Sequence, residues 1–151
     1  MAAACGDVEP EGRVHAVISR PRADTVRFTA PARANRCSGG RGLLLQASTG
    51  GNGVVVWLRT PDSLAAGLWP LLQRGDTVSP RGATVGARFM VGDLAHGVPL
   101  DSGAVTLGRT ADALSVTASG TGLEGAGRVG VVASFDAVRV GPDTVPCAPR
   151  P

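Results

Sequence analysis

The run Gly127–Val140, GRVGVVASFDAVRV, is the longest strand-like stretch of the chain and decides its fold class. Val129, Val131, Ala133 and Phe135 share one face, while Gly130, Ser134 and Asp136 lie opposite, with Val132 the exception. Apolar residues recurring with a period of two mark a half-buried β-strand. After Ala137 the apolar phase moves to Val138 and Val140, which predicts a β-bulge or a twist at that point. The stretch is scaffold and carries no reactive side chain.

Outward from it the same texture continues. Strands are predicted at Arg13–Ser19, Thr25–Thr29, Leu43–Ala47, Val54–Leu58, Thr84–Val91, Gly103–Leu107 and Ala113–Thr121. Leu43–Ala47 and Val54–Leu58 flank the glycine-rich Ser48–Gly53 and form a predicted hairpin. Its nearly continuous apolar arms read as central and covered on both faces. Pro31–Gly42 and Gly92–Asp101 read as loops. Thr60–Leu72 (TPDSLAAGLWPLL) is the one helical candidate: Thr60 suits an N-cap, Pro61 the first turn, and Leu64, Leu68 and Leu71 or Leu72 a stripe. Pro70 limits it to about two turns. With 22 Gly, 11 Pro and no Tyr, the chain suits short strands joined by tight turns. The expectation is an all-β domain, an antiparallel β-sandwich or jelly-roll-like barrel of about eight strands with one short helix. The expected organisation is a flexible leader at 1–12, a single domain at 13–147 and a tail at 148–151.

All 15 basic residues are arginine. Without lysine there is no Schiff-base lysine, no Walker-type phosphate lysine and no Ser-x-x-Lys pair. No Gly-x-Ser-x-Gly elbow occurs. His15 and His96 are remote from each other, with His15 predicted outward or packed on a sheet and His96 in a loop. Catalytic residues, a metal site and a cofactor are therefore not expected. A small hydrolase using two of the scattered carboxylates is one alternative, and a barrel that encloses a ligand is the other.

The net charge of +3 is concentrated early. Residues 1–41 hold seven arginines against four acids, whereas residues 42–151 hold eight of each. Arg20, Arg22, Arg27, Arg33, Arg36 and Arg41 are the expected basic surface, suited to an acidic protein patch or anionic lipid headgroups. Trp69, off the leucine stripe of the predicted helix, is the expected aromatic anchor of a protein interface. Only five aromatic residues exist, and the basic segment holds Phe28 alone, so stacking-based nucleic-acid binding is not expected.

Cys5, Cys37 and Cys147 match no zinc spacing. Cys37 and Cys147 pair in an oxidising compartment or remain two small buried thiols; a bond would tie the first third of the chain to the tail. Ala2-Ala3-Ala4-Cys5 resembles the end of a bacterial envelope lipoprotein signal, in which small residues precede the lipidated cysteine. The resemblance covers four residues. It implies lipidation at Cys5 and a periplasmic or otherwise extracytoplasmic location, peripheral to the membrane. Taken together, the expected function is that of a non-enzymatic structural or binding module, an accessory subunit on a membrane-protein complex such as a respiratory or photosynthetic one.

Overall fold

A computed structural model describes residues 12–125 and 127–147. Leader residues 1–11, with Cys5, and the tail from 148 lie outside the described residues. Among those described, eleven strands run in chain order. They are β1 (Arg13–Ser19), β2 (Val26–Cys37), β3 (Leu43–Thr49), β4 (Asn52–Arg59), β5 (Gly67–Pro70), β6 (Gly82–Val91), β7 (Leu94–Pro99), β8 (Ser102–Arg109), β9 (Leu114–Glu124), β10 (Gly127–Val138) and β11 (Val140–Val145). They form one sheet in the order β5-β8-β9-β10-β1-β2-β3-β4-β6-β7, antiparallel along that path, with β11 added parallel to β2. The sheet does not close into a barrel.

β2 turns the corner between two halves. Its residues 26–31 pair with β1, and its residues 32–36 pair with β3. The halves bury a single sandwich-like core in which Trp69, Phe89, Phe135, Ile18, Leu43, Leu45 and Leu58 are the large members. β10 behaves as its periodicity predicts: Val129, Val131, Ala133 and Phe135 are buried and Val132 is exposed. The phase change is a bulge, with the register slipping between Phe135 and Val138 and Ala137 at φ 52°. The chain then runs along the second half of β2, where Val145 pairs with Cys37. The Cys37 and Cys147 sulfurs are 2.07 Å apart, within bonding distance, and their Cα atoms 5.5 Å apart.

Four expectations need correction. No helix forms at 60–72. The Thr60 hydroxyl accepts the Asp62 amide in a local turn, and Gly67–Pro70 becomes edge strand β5 against β8. A two-turn helix interrupted by Pro70 is marginal, while β5 seats a whole indole in the core, and an edge strand tolerates the proline. Trp69 is accordingly 0% exposed, with Nε1 donating to the Ala65 carbonyl and Arg81 over its ring. It holds the fold together and presents no anchor to a partner. Leu68, expected inward, is 66% exposed. The only helical segment described is a single 3-10 turn at Ser38–Gly40.

Second, the Pro31–Gly42 loop is mostly strand, because Ala30, Ala32 and Ala34 alternate inward between polar residues. Third, the β3–β4 hairpin is covered on one face only. Leu43, Leu45, Ala47, Val54, Val56 and Leu58 are buried, whereas Val55 is exposed and Leu44, Gln46 and Trp57 are half-buried. Its tip contracts to Gly50-Gly51, both at positive φ as a tight two-residue hairpin turn requires. Fourth, His96 sits on β7 rather than in a solvated loop. It stacks on Phe89 with centroids 5.3 Å apart, and its Nδ1 lies 2.6 Å from Glu124 Oε1. That pair bridges β7 to β9 where the two halves meet.

Candidate functional site

The cross-strand register places two rows of side chains on the outer face of the β2–β7 half. One is Arg33–Gln46–Val55–Gly86–Pro99, and the next is Ser48–Gly53–Arg88–Gly97, with Pro31 also in the lining. Beneath and between them lies the buried row Ala32–Ala47–Val54–Ala87–Val98. Successive residues of a strand face opposite sides, so a small buried row and a partly side-chain-free outer pair of rows arise together.

The result is an open groove of about 830 Å³. Its floor is low because Gly53, Gly86 and Gly97 place no side chain there. Gly97 has nothing within 4 Å of where a Cβ would be, and at Gly86 a Cβ would make ordinary contact with Val55 Cγ1 at 3.5 Å. Gln46 and Ser48 supply the polar part of the floor and Val55 the apolar part.

Arg33 stands on the β2 side, Arg88 on β6, and Arg74 reaches in from the loop before β6. That loop is tied down by Leu72 N–H to the Ala83 carbonyl at 2.7 Å and by Gln73 Nε2 to the Asp101 carbonyl at 2.8 Å. Among the described residues no carboxylate lines the groove. All three arginines are exposed, and none of their side chains makes a hydrogen bond or ion pair with the described residues. A concave surface with cations of one sign focuses potential and attracts anions. No aromatic side chain lines it. Trp57, one row further along β4, has Arg59 over its ring at 4.7 Å and donates its Nε1–H to the Arg41 carbonyl.

Other cations are committed to the fold. Arg59 donates to the Ser79 and Asp76 carbonyls at 3.1 and 2.7 Å. Arg128 reaches both Asp101 oxygens, at 2.6 and 3.2 Å, and Thr121 Oγ1. The Arg128 guanidinium beside it, above all, holds the Asp101 carboxyl below its ordinary value of 3.8, and the Arg128 pKa rises in return. Asp76 is lowered chiefly by the Ser79 hydroxyl, then by the Ser79 and Val78 amides.

Of the six arginines expected as a basic surface, only Arg33 enters the groove. Arg20 donates to the Asp24 carbonyl and lies 5.5 Å from the Phe89 centroid. Arg22 sits in the turn after β1 at φ 55°, and Arg27 is on the β2 segment that pairs with β1. Arg36 and Arg41 are exposed near the disulfide end. The corner in β2 thus divides the basic segment between two faces. Arg74 and Arg88 were missed because each stands in a charge-balanced part of the sequence. The pairing of β6 with β4 is what brings Arg88 to the face that carries Arg33. His15 is exposed, with Nδ1 3.0 Å from Thr29 Oγ1. Among the described residues no three His, Cys, Asp or Glu side chains are grouped as metal ligands, and no helix is long and apolar enough to cross a membrane. No known protein family, curated protein or solved structure matches this chain.

Proposed function

We propose that this protein is a non-enzymatic, extracytoplasmic binding module, a peripheral accessory subunit that docks on a membrane-protein complex through the groove face of its β2–β7 half. The observation that carries the reading is the set Arg33, Arg74 and Arg88, three exposed cations around a recess that no acid among the described residues lines. Like charges around a recess raise the local positive potential, which steers an acidic partner to this face. The Cys37–Cys147 bond agrees with an oxidising compartment. Lipidation of Cys5 would add a second attachment, and one acyl chain alone binds membranes only reversibly. The hydrolase alternative needs two facing carboxylates, and the groove offers none. The enclosed-ligand alternative needs space between the halves, where Trp69, Phe89 and Phe135 are packed.

The test is native purification from detergent-solubilised membranes, with release measured against salt. Retention in a large assembly at low salt, lost at high salt or on replacing all three arginines by glutamine, is the expected result. A protein that elutes alone and soluble at low salt overturns the proposal.

A further inference from the structure

We infer that the groove binds an extended acidic peptide segment of the partner, with one carboxylate held by Arg33 and a second, four residues on, held by Arg88; this rests on the accessory-subunit reading. The argument is one of spacing. Arg33 and Arg88 lie on β2 and β6, three strand intervals apart and one row offset. Strand spacing sets about 14 Å across the sheet between them and the two-residue offset about 7 Å along it, which puts their Cα atoms about 16 Å apart. An extended peptide advances ~3.3 Å per residue, so side chains four positions apart lie on one side about 13 Å from each other, and the long exposed arginine side chains lean inward to close the remaining few ångströms. Guanidinium groups at both ends match carboxylates bidentately.

The floor suits the residues between. Gly53 and Gly86 leave room for the peptide backbone, and small side chains fit over Val55. The Gln46 amide offers a donor and an acceptor to that backbone. Because the groove lies on a sheet face, the ladder amides beneath are already paired, so recognition falls to side chains. Nucleic acid and glycans are disfavoured by the same floor, which has no aromatic platform on which a base or sugar ring could stack.

The experiment uses the purified full chain with its disulfide intact and the synthetic probe acetyl-Gly-Asp-Ala-Gly-Ala-Asp-Gly-amide, followed by titration calorimetry and amide shift mapping. Expected are saturable binding, shifts at Gln46, Gly53 and Gly86, and no binding of the probe with both Asp replaced by Asn. Arg33→Gln and Arg88→Gln should each weaken binding roughly fivefold. Gly97→Leu should fill the groove and weaken binding without lowering the melting temperature, since its Cβ enters open space. Equal binding of the Asn probe, equal binding by Gly97→Leu, no binding at all, or binding of polygalacturonate in place of the peptide each overturns the inference. A protein that stays with its membrane complex yet ignores the peptide defeats the groove assignment alone. One that binds the peptide but elutes alone from native membranes defeats the accessory-subunit reading instead.

Discussion

Arg59 on β4 and Arg88 on the adjacent β6 belong to the same half of the sheet, yet their surroundings are opposite. Arg59 has a side chain only 16% exposed, two backbone carbonyls on its guanidinium, Asp76 Oδ1 at 4.0 Å and the Trp57 ring under it. Arg88 is exposed, and its register partners on both sides, Gly53 and Gly97, have no side chains. One arginine closes the chain on itself; the other faces a recess. Arg59 commits both terminal nitrogens of its guanidinium to backbone carbonyls, with only Nε left without an acceptor; the Arg88 guanidinium has no such acceptors among the described residues and is free for the partner proposed above.

The strongest way to disturb this contrast is at the staple beside it. Cys37 ends the same segment of β2 that carries Arg33, and the bond spans 110 residues of sequence. Replacing both cysteines by serine should lower stability by up to about 4–5 kcal/mol, the loop-entropy value for that length. Urea unfolding of the two forms measures it, and equal midpoints would show that β11 holds β2 without the bond. Next in size is the contrast itself. Arg59→Ala should cost about 2 kcal/mol through the loss of partly buried, charge-assisted hydrogen bonds, while Arg33→Gln, Arg74→Gln and Arg88→Gln each stay within about 0.5 kcal/mol. Comparable losses in both sets by thermal melting would erase the distinction between them.

The smallest effect is in acid. Asp76 and Asp101 have pKa values lowered in the folded protein from 3.8. Their stabilisation is therefore complete above the unfolded-state value near 3.8 and is lost as pH falls through the lower folded values. Melting temperatures of the wild type should drop below about pH 4, and Asp76→Asn with Asp101→Asn should flatten that limb. An unchanged acid limb in the double variant would assign the drop to other carboxyls.

Much of the scaffold was legible because large apolar side chains alternate clearly. RVHAVIS and GRVGVVASFDAV have the period of two that burial follows, and the shift at Ala137 marks a true bulge that sends the chain toward Cys37. Where alternation uses alanine, as in Ala30, Ala32 and Ala34, each residue buries too little area to stand out beside Pro31 and the arginines. Trp69 is misplaced because Leu64, Leu68 and Leu71 satisfy a helical spacing, while the four-residue Gly67–Pro70 has Leu68 and Trp69 adjacent and shows no alternation of its own. Tertiary burial of the indole decides for the strand. The groove was not legible, since periodicity assigns a face to each residue but not the partner across the ladder. Only the register that aligns Arg33, Gln46, Val55 and Gly86 brings Arg88 to the recess, and the loop before β6 brings Arg74.

The corner in β2 has a consequence for how this molecule comes apart. A single twelve-residue strand carries the hydrogen bonds of both halves, to β1 through its first segment and to β3 and β11 through its second. Neither half has another full strand to close that edge, and both draw on one core. The halves are therefore a single cooperative unit, and opening either exposes the ladder edge of the other.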